Sequence, residues 1–242
     1  MTIQKLFPTL LCLLALSLQA QTTQSPQTVL ASQTTQLPQT SQQWHATLDS
    51  LNNAIRQHPH STDLRLKKAA ANIELGQWEY AAEEYGRVLN IDPKNPAARY
   101  YRAYTYMHLR QYALAKNDYE QFLLQTPVHL QARLGLAYVC EKMGRKTDAT
   151  DEYNRIVEMF PDSAVAYAAR AAFETAQKQY DTALFDWDEA LRRQPANADY
   201  VTAKADVLLA MGRKDDARRL IDDAIQRGIS PAVLIAYRRQ LS

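Results

Sequence analysis

Three sets of side chains in this sequence have the chemistry to build a site. His58 and His60 flank Pro59 and are metal ligands by type, Cys140 is a nucleophile by type, and Tyr100, Tyr104, Met107 and His108 recur at helical spacing. A metal site needs three or four converging ligands, and the two histidines stand in a turn with no third ligand at a matching spacing, so they read as polar-loop residues. Cys140 likewise has no partner of matching spacing, and a lone buried thiol behaves as a small hydrophobe. No Gly-rich phosphate loop, Gly-x-Ser-x-Gly elbow or His-Glu-x-x-His helix occurs in the chain. The expectation is no catalytic residue, no metal and no cofactor. A hydrolytic or redox enzyme built on Cys140 or His108 is the rival from another class, and labelling of the thiol in the folded chain separates the two.

The elements that carry these residues follow from composition. Of 242 residues, 46% are hydrophobic and 22% charged, the mixture of an ordinary soluble chain of one or two domains. With 28 Lys and Arg against 26 Asp and Glu, the net charge of +2 gives no strong pull toward nucleic acid or anionic membrane. Only 6 Gly and 10 Pro are too few to turn an all-β chain, so the bulk is expected to be helical.

Residues 1–20 read as a secretory signal peptide: Lys5, an apolar run Leu6–Leu18, then Leu18-Gln19-Ala20 before a polar stretch. The run falls short of the roughly 20 residues that span a bilayer, so no integral membrane segment is expected after cleavage. Cys12 follows Leu11, where a lipid attachment site wants a small residue. Residues 21–42 repeat Gln, Thr, Ser and Pro and lack the apolar surface to offset ordering entropy, as in a flexible tether. The chain is expected to be exported, to a periplasm or outside the cell.

Beyond the tether, one period organises the chain. Pro59, Pro93, Pro127, Pro161 and Pro195 lie 34 residues apart, as do Ala69, Ala103, Ala137, Ala171 and Ala205, and Ala81, Ala115, Ala149, Ala183 and Ala217. An aliphatic column runs through Ile55, Leu89, Leu123, Val157, Leu191 and Ile225, and a bulky one through Leu51, Tyr85, Tyr119, Tyr153, Trp187 and Ile221. Between each pair of alanines a turn holds Gly76, Arg110, Gly144, Lys178 or Gly212. Glycine there suits a helix C-terminus in the left-handed region, the alanines suit close helix approach, and proline ends the second helix of each unit.

These columns resemble the tetratricopeptide repeat. The resemblance implies an all-α fold, a right-handed α-solenoid of about five helix-turn-helix units: 62–95, 96–129, 130–163, 164–197 and 198–229. The fifth departs from the pattern, with Arg227-Gly228-Ile229 where proline is expected. Residues 43–61 match the second helix of a unit and serve as an N-terminal half-repeat. Residues 230–242 form a capping helix started by Ser230-Pro231, with Val233, Leu234, Tyr237 and Leu241 covering the fifth unit.

Arg102 with Asp118, Arg170 with Asp186 and Lys68 with Glu84 are each sixteen residues apart, as ion pairs between facing helices would be. Exposed pairs of this kind contribute about 0–1 kcal/mol. Cys140 shares a column with Tyr106 and Glu174, and Glu174 is expected to repack locally or stay partly exposed.

The resemblance also implies that the first helices line a concave face. Tyr100, Tyr104 and Met107 form one stripe there, Tyr101 and His108 flank it, and Leu134, Tyr138 and Glu141 continue it in the next unit. The Lys and Asn clamp by which some members bind C-terminal carboxylates is missing: the positions hold Leu66, Ala70, Tyr100, Tyr104, Leu134 and Tyr138. Glu74, Glu141, Asp199 and Asp206 tilt the face acidic. A non-enzymatic scaffold of the bacterial envelope is therefore expected, holding a peptide segment or another protein through apolar anchors and a basic residue. A glycan or peptidoglycan-binding module is the alternative.

Overall fold

The computed structural model describes residues 40–241. The expected signal peptide and all but the last three residues of the expected tether lie outside the described residues. Among the described residues there are twelve helices and no strand, and no helix is long and apolar enough to cross a membrane. They divide at Pro127 into two compact units. The N-terminal unit holds α1 (Ser41–Gln57), α2 (Thr62–Glu74), α3 (Trp78–Ile91), α4 (Pro96–His108) and α5 (Tyr112–Gln125). The C-terminal unit holds α6 (Leu130–Lys142), α7 (Lys146–Met159), α8 (Ala164–Ala176), α9 (Tyr180–Arg193), α10 (Ala198–Ala210), α11 (Lys214–Gln226) and α12 (Pro231–Leu241). Within each unit, consecutive helices pack as helix-turn-helix pairs.

Capping and turn chemistry set the helix ends. Ser41 and Gln42, polar residues assigned to the tether by composition, form the first turn of α1. Thr40 caps that turn, its N–H donating to Gln43 Oε1 at 2.6 Å and its hydroxyl accepting from the Gln43 N–H. The first helix of every pair has its own cap, again 34 residues apart: Ser61, Asn95, His129, Ser163 and Asn197 each accept from the backbone N–H three residues on. His129 accepts through Nδ1 from Ala132 at 3.1 Å, which requires its proton on Nε2. Three residue types, Ser, Asn and His, share only an acceptor atom, so this column is invisible to a search for identical letters.

The five intra-pair turns all contain a residue with positive φ, namely Gly76, Arg110, Gly144, Lys178 and Gly212. The following N–H closes the turn onto the carbonyl five residues back, as in Gln77 to Asn72 at 2.8 Å and Gln111 to Tyr106 at 2.9 Å. Second helices stop before the prolines, because the residue preceding proline is driven to extended backbone; Asp92 and Gln194 take φ near −130° for this reason. The fifth pair leaves differently. Gly228 adopts φ 101°, and the Ile229 N–H bonds the Ala224 carbonyl at 3.1 Å, a glycine stop in place of a proline one.

All ten column alanines are 0% exposed, so each pair closes at that level with no room for a larger side chain. Tyr85, Tyr119, Tyr153, Trp187 and Ile221 are buried beside them. The aliphatic column is buried at Leu89 and Leu123 and becomes a half-buried rim at Val157, Leu191 and Ile225. The wall it borders is formed one residue earlier, by Val88, Phe122, Ile156, Ala190 and Ala224. On α12, Leu234 is buried and the Tyr237 hydroxyl donates to Asp206 Oδ1 at 2.8 Å. Val233, expected to cover the fifth pair, is exposed: neighbouring helix positions point about 100° apart, and the docked stripe passes through Leu234 and Tyr237.

The facing-helix ion pairs form, and their acids are buried rather than exposed. Arg102 grips Asp118 with two bonds (Nε–Oδ2 2.7 Å, Nη2–Oδ1 2.9 Å), and Arg170 grips Asp186 the same way (2.6 and 2.8 Å). Glu84 takes both Lys68 and Arg65 at 2.9 Å. Glu152 completes the acidic column and takes Arg133 at 3.0 Å, a pair that the sixteen-residue rule missed because the cation sits one turn earlier. In the fifth pair the acid is replaced by Leu220, and Lys204 turns instead to Asp188 on α9 at 2.5 Å.

Candidate partner-binding face

The eight residues expected on the binding face separate into core and surface. Tyr100, Tyr101, Met107 and Leu134 are buried, with Tyr100 only 7% exposed. Tyr104, His108, Tyr138 and Glu141 are half-buried. The reason is visible on α4, which packs against α3 on one side and α5 on the other and has only a narrow strip left over. Tyr100 points to α5, its ring 5.4 Å from Phe122 and 6.1 Å from Tyr119. Tyr101 points to α3 and stacks 6.0 Å from Tyr85. Burial drives the phenols of Tyr100 and Tyr119 well above their ordinary range. Tyr100 of the expected stripe and Tyr101 beside it hold the helices together and are core residues, as are Met107 and Leu134.

The strip that remains on α4 gains a member that the sequence reading missed. Trp78, the first residue of α3, lies flat on His108 with ring centres 4.0 Å apart and planes 1° from parallel. Tyr104 meets both edge-on, 6.2 Å from Trp78 and 4.6 Å from His108. The signal was an aromatic two residues past the turn, repeated at Tyr112 and Tyr180. Burial among these rings lowers the His108 imidazole below its ordinary value, so it is neutral near pH 7.

Glu74, the last residue of α2, adjoins this cluster. It is exposed, and its carboxylate has no hydrogen bond or ion pair among the described residues. Partial burial raises its carboxyl, and its charge in turn raises the Tyr104 phenol, for which burial is the larger cause.

The C-terminal unit arranges the same chemistry differently. Tyr138 carries the Lys142 ammonium 4.9 Å over its ring, and Glu141 accepts from Lys142 at 2.8 Å and from the Tyr153 hydroxyl at 3.4 Å. Asp206 is taken by Tyr237. Cys140 is buried. A separate cavity of about 500 Å3 opens between α9 and α11 over α10, lined by Asp188, Leu191, Lys204, Leu220, Asp223 and Arg227 among others. Its charges are mixed and favour no one class of ligand.

Comparison with known proteins bears on the architecture. Residues 100–164 and 174–228 match models of the tetratricopeptide repeat, and residues 70–109 match a TPR repeat model. No curated protein sequence matches the chain. Among solved structures, it is similar to a tetratricopeptide repeat protein from Parabacteroides merdae ATCC 43184, with a TM-score of 0.68 at 21% identity over 82% of this chain and 78% of that one. It is also similar to PilW, a widely conserved type IV pilus biogenesis factor (0.66, 18% identity, 75% and 84% covered). A third is YrrB, a TPR protein with an unusual peptide-binding site (0.56, 18% identity, 79% and 99% covered). At such identities the likeness speaks for fold alone. With the 34-residue columns, the alanine-closed helix pairs and the matches over residues 70–164 and 174–228, these units are tetratricopeptide repeats.

Proposed function

We propose that this chain is a non-enzymatic scaffold of the bacterial cell envelope that holds an extended peptide segment of another protein on the face carried by the first helices of its repeats. The observation that carries this reading is the half-exposed ring cluster Trp78, Tyr104 and His108, held on helices whose cores are closed by fully buried alanines. Aromatic side chains fixed in advance lose little entropy on binding and supply large contact area. The peptide-binding site of YrrB and the pilus-biogenesis role of PilW are in keeping with such a task. The envelope assignment rests on the apolar leader at residues 6–18 and the Gln- and Thr-rich tether after it.

Affinity capture from envelope extract tests the reading, comparing the exported chain with a Tyr104→Ala, Tyr138→Ala variant of unchanged helicity. A protein recovered by the former and lost by the latter supports it. Equal recovery moves the site to the second-helix face or the tether, and recovery of glycan alone replaces the peptide reading with a glycan-binding one.

A further inference from the structure

The C-terminal unit contains a complete example of cation recognition. The Lys142 ammonium stands 4.9 Å over the Tyr138 ring and 2.8 Å from the Glu141 carboxylate, so one positive charge is shared between a π face and an acid. The same preference appears twice more, with Arg193 over Tyr167 at 4.0 Å and Arg102 over Tyr106 at 5.7 Å. The N-terminal unit has the acid and the rings, and among its described residues no cation pairs with the acid. The Glu74 carboxylate, at the end of α2, has no hydrogen bond or ion pair among the described residues; its charge acts on Tyr104, and it is separated only by the short turn from Trp78, the first residue of α3. In the column of Glu74 the next unit has His108 and the one after it Lys142. The lysine that fills the Tyr138 site therefore corresponds to a neutral imidazole beside Tyr104.

We propose that Glu74, Tyr104 and Trp78 form a receptor for one cationic side chain, the arginine or lysine of a bound peptide. The proposal rests on the peptide-binding reading above and names the residue class that the peptide must carry. The stack of Trp78 on His108, with Tyr104 edge-on to both, holds the rings in place without help from a ligand. Glu74 supplies the charge that makes the guest cationic rather than merely apolar. A carboxylate with no internal partner, next to electron-rich ring faces, is desolvated at least cost by an incoming ammonium or guanidinium.

The test is a 15N NMR titration of the whole chain with Nα-acetyl-arginine amide and with Nα-acetyl-lysine amide, each against its uncharged counterpart, citrulline or norleucine. The Trp78 indole N–H and the amides around Glu74 and Tyr104 should shift saturably with one or both cations. They should shift at least tenfold more weakly with the neutral analogues. Glu74→Gln should weaken the response at least tenfold with the rest of the spectrum unchanged, and Tyr104→Phe, which keeps the ring, should retain it. Equal response to charged and neutral probes, an unaltered titration in Glu74→Gln, or shifts confined to other parts of the chain would overturn the proposal. Failure here is distinct from failure of the scaffold reading: a partner lost by Tyr104→Ala but kept by Glu74→Gln leaves the peptide face standing and removes the cation receptor.

Discussion

Arg102 holds Asp118 through two parallel hydrogen bonds, of 2.7 and 2.9 Å, across the gap between α4 and α5, and the Asp118 side chain is only 1% exposed. A pair of this kind orients two helices, but its energetic weight lies mainly in what breaking it leaves behind. Asp118→Ala should strand a guanidinium at a mostly buried position and lower stability by about 3 kcal/mol or more. The double variant Arg102→Met, Asp118→Leu should recover most of that loss. Urea denaturation of the three proteins checks it, and a single variant as stable as the parent would show the pair to be dispensable.

Two of the five turns carry a left-handed residue with a side chain, Arg110 at φ 58° and Lys178 at φ 61°. The same turn takes glycine in the other three pairs, and a non-glycine residue there costs about 1 kcal/mol. Arg110→Gly and Lys178→Gly are each expected to raise the melting temperature, and Gly144→Ala to lower it, by calorimetry. The gains should be nearly additive, since the two turns lie in different units.

Glu174 departs from a column that elsewhere holds Tyr106 and Cys140. Its Oε2 is buried without a hydrogen-bond partner, and burial, together with the charge of Asp186, pushes its carboxyl up to about 7, against the opposing pull of Arg170 and Thr182. The folded chain thus holds this proton more tightly than the unfolded chain, whose ordinary value is 4.5. The contribution to stability is fully present below about pH 4.5 and is lost as the pH rises through about 7. Glu174→Gln should therefore stabilise the protein by about 1–2 kcal/mol at pH 8, after allowance for partial solvent screening, and by almost nothing at pH 4. Melting curves at the two pH values check it; an equal effect at both would sink the assignment.

Tyr100 and Tyr104 are four residues apart on α4 and should fail in different ways when truncated. Tyr100→Ala hollows the contact with Tyr119 and Phe122 and should cost about 3–5 kcal/mol. Tyr104→Ala should leave the fold close to the parent in stability and lose the partner. Denaturation and capture experiments on the two variants separate the roles.

The repeat period, the helix pairs, the alanine contacts and the left-handed turns were all legible in the amino-acid order. Each depends on one residue type at one local position: a proline that cannot continue a helix, a small side chain where helices close, a glycine where φ is positive. The caps formed by Ser61, Asn95, His129, Ser163 and Asn197 were equally local but hidden behind unlike letters. Side-chain direction was not decided locally. Helix positions four apart differ by about 40° of rotation, and only the placement of α3 and α5 on either side of α4 sends Tyr100 inward and leaves Tyr104 at the surface. Composition likewise marked Glu74, Glu141 and Asp206 as equal acids. The packed structure gives Lys142 and Tyr153 to one and Tyr237 to another, and leaves Glu74 beside its aromatic neighbours, because ion pairing is settled by which side chains the folded helices bring within reach.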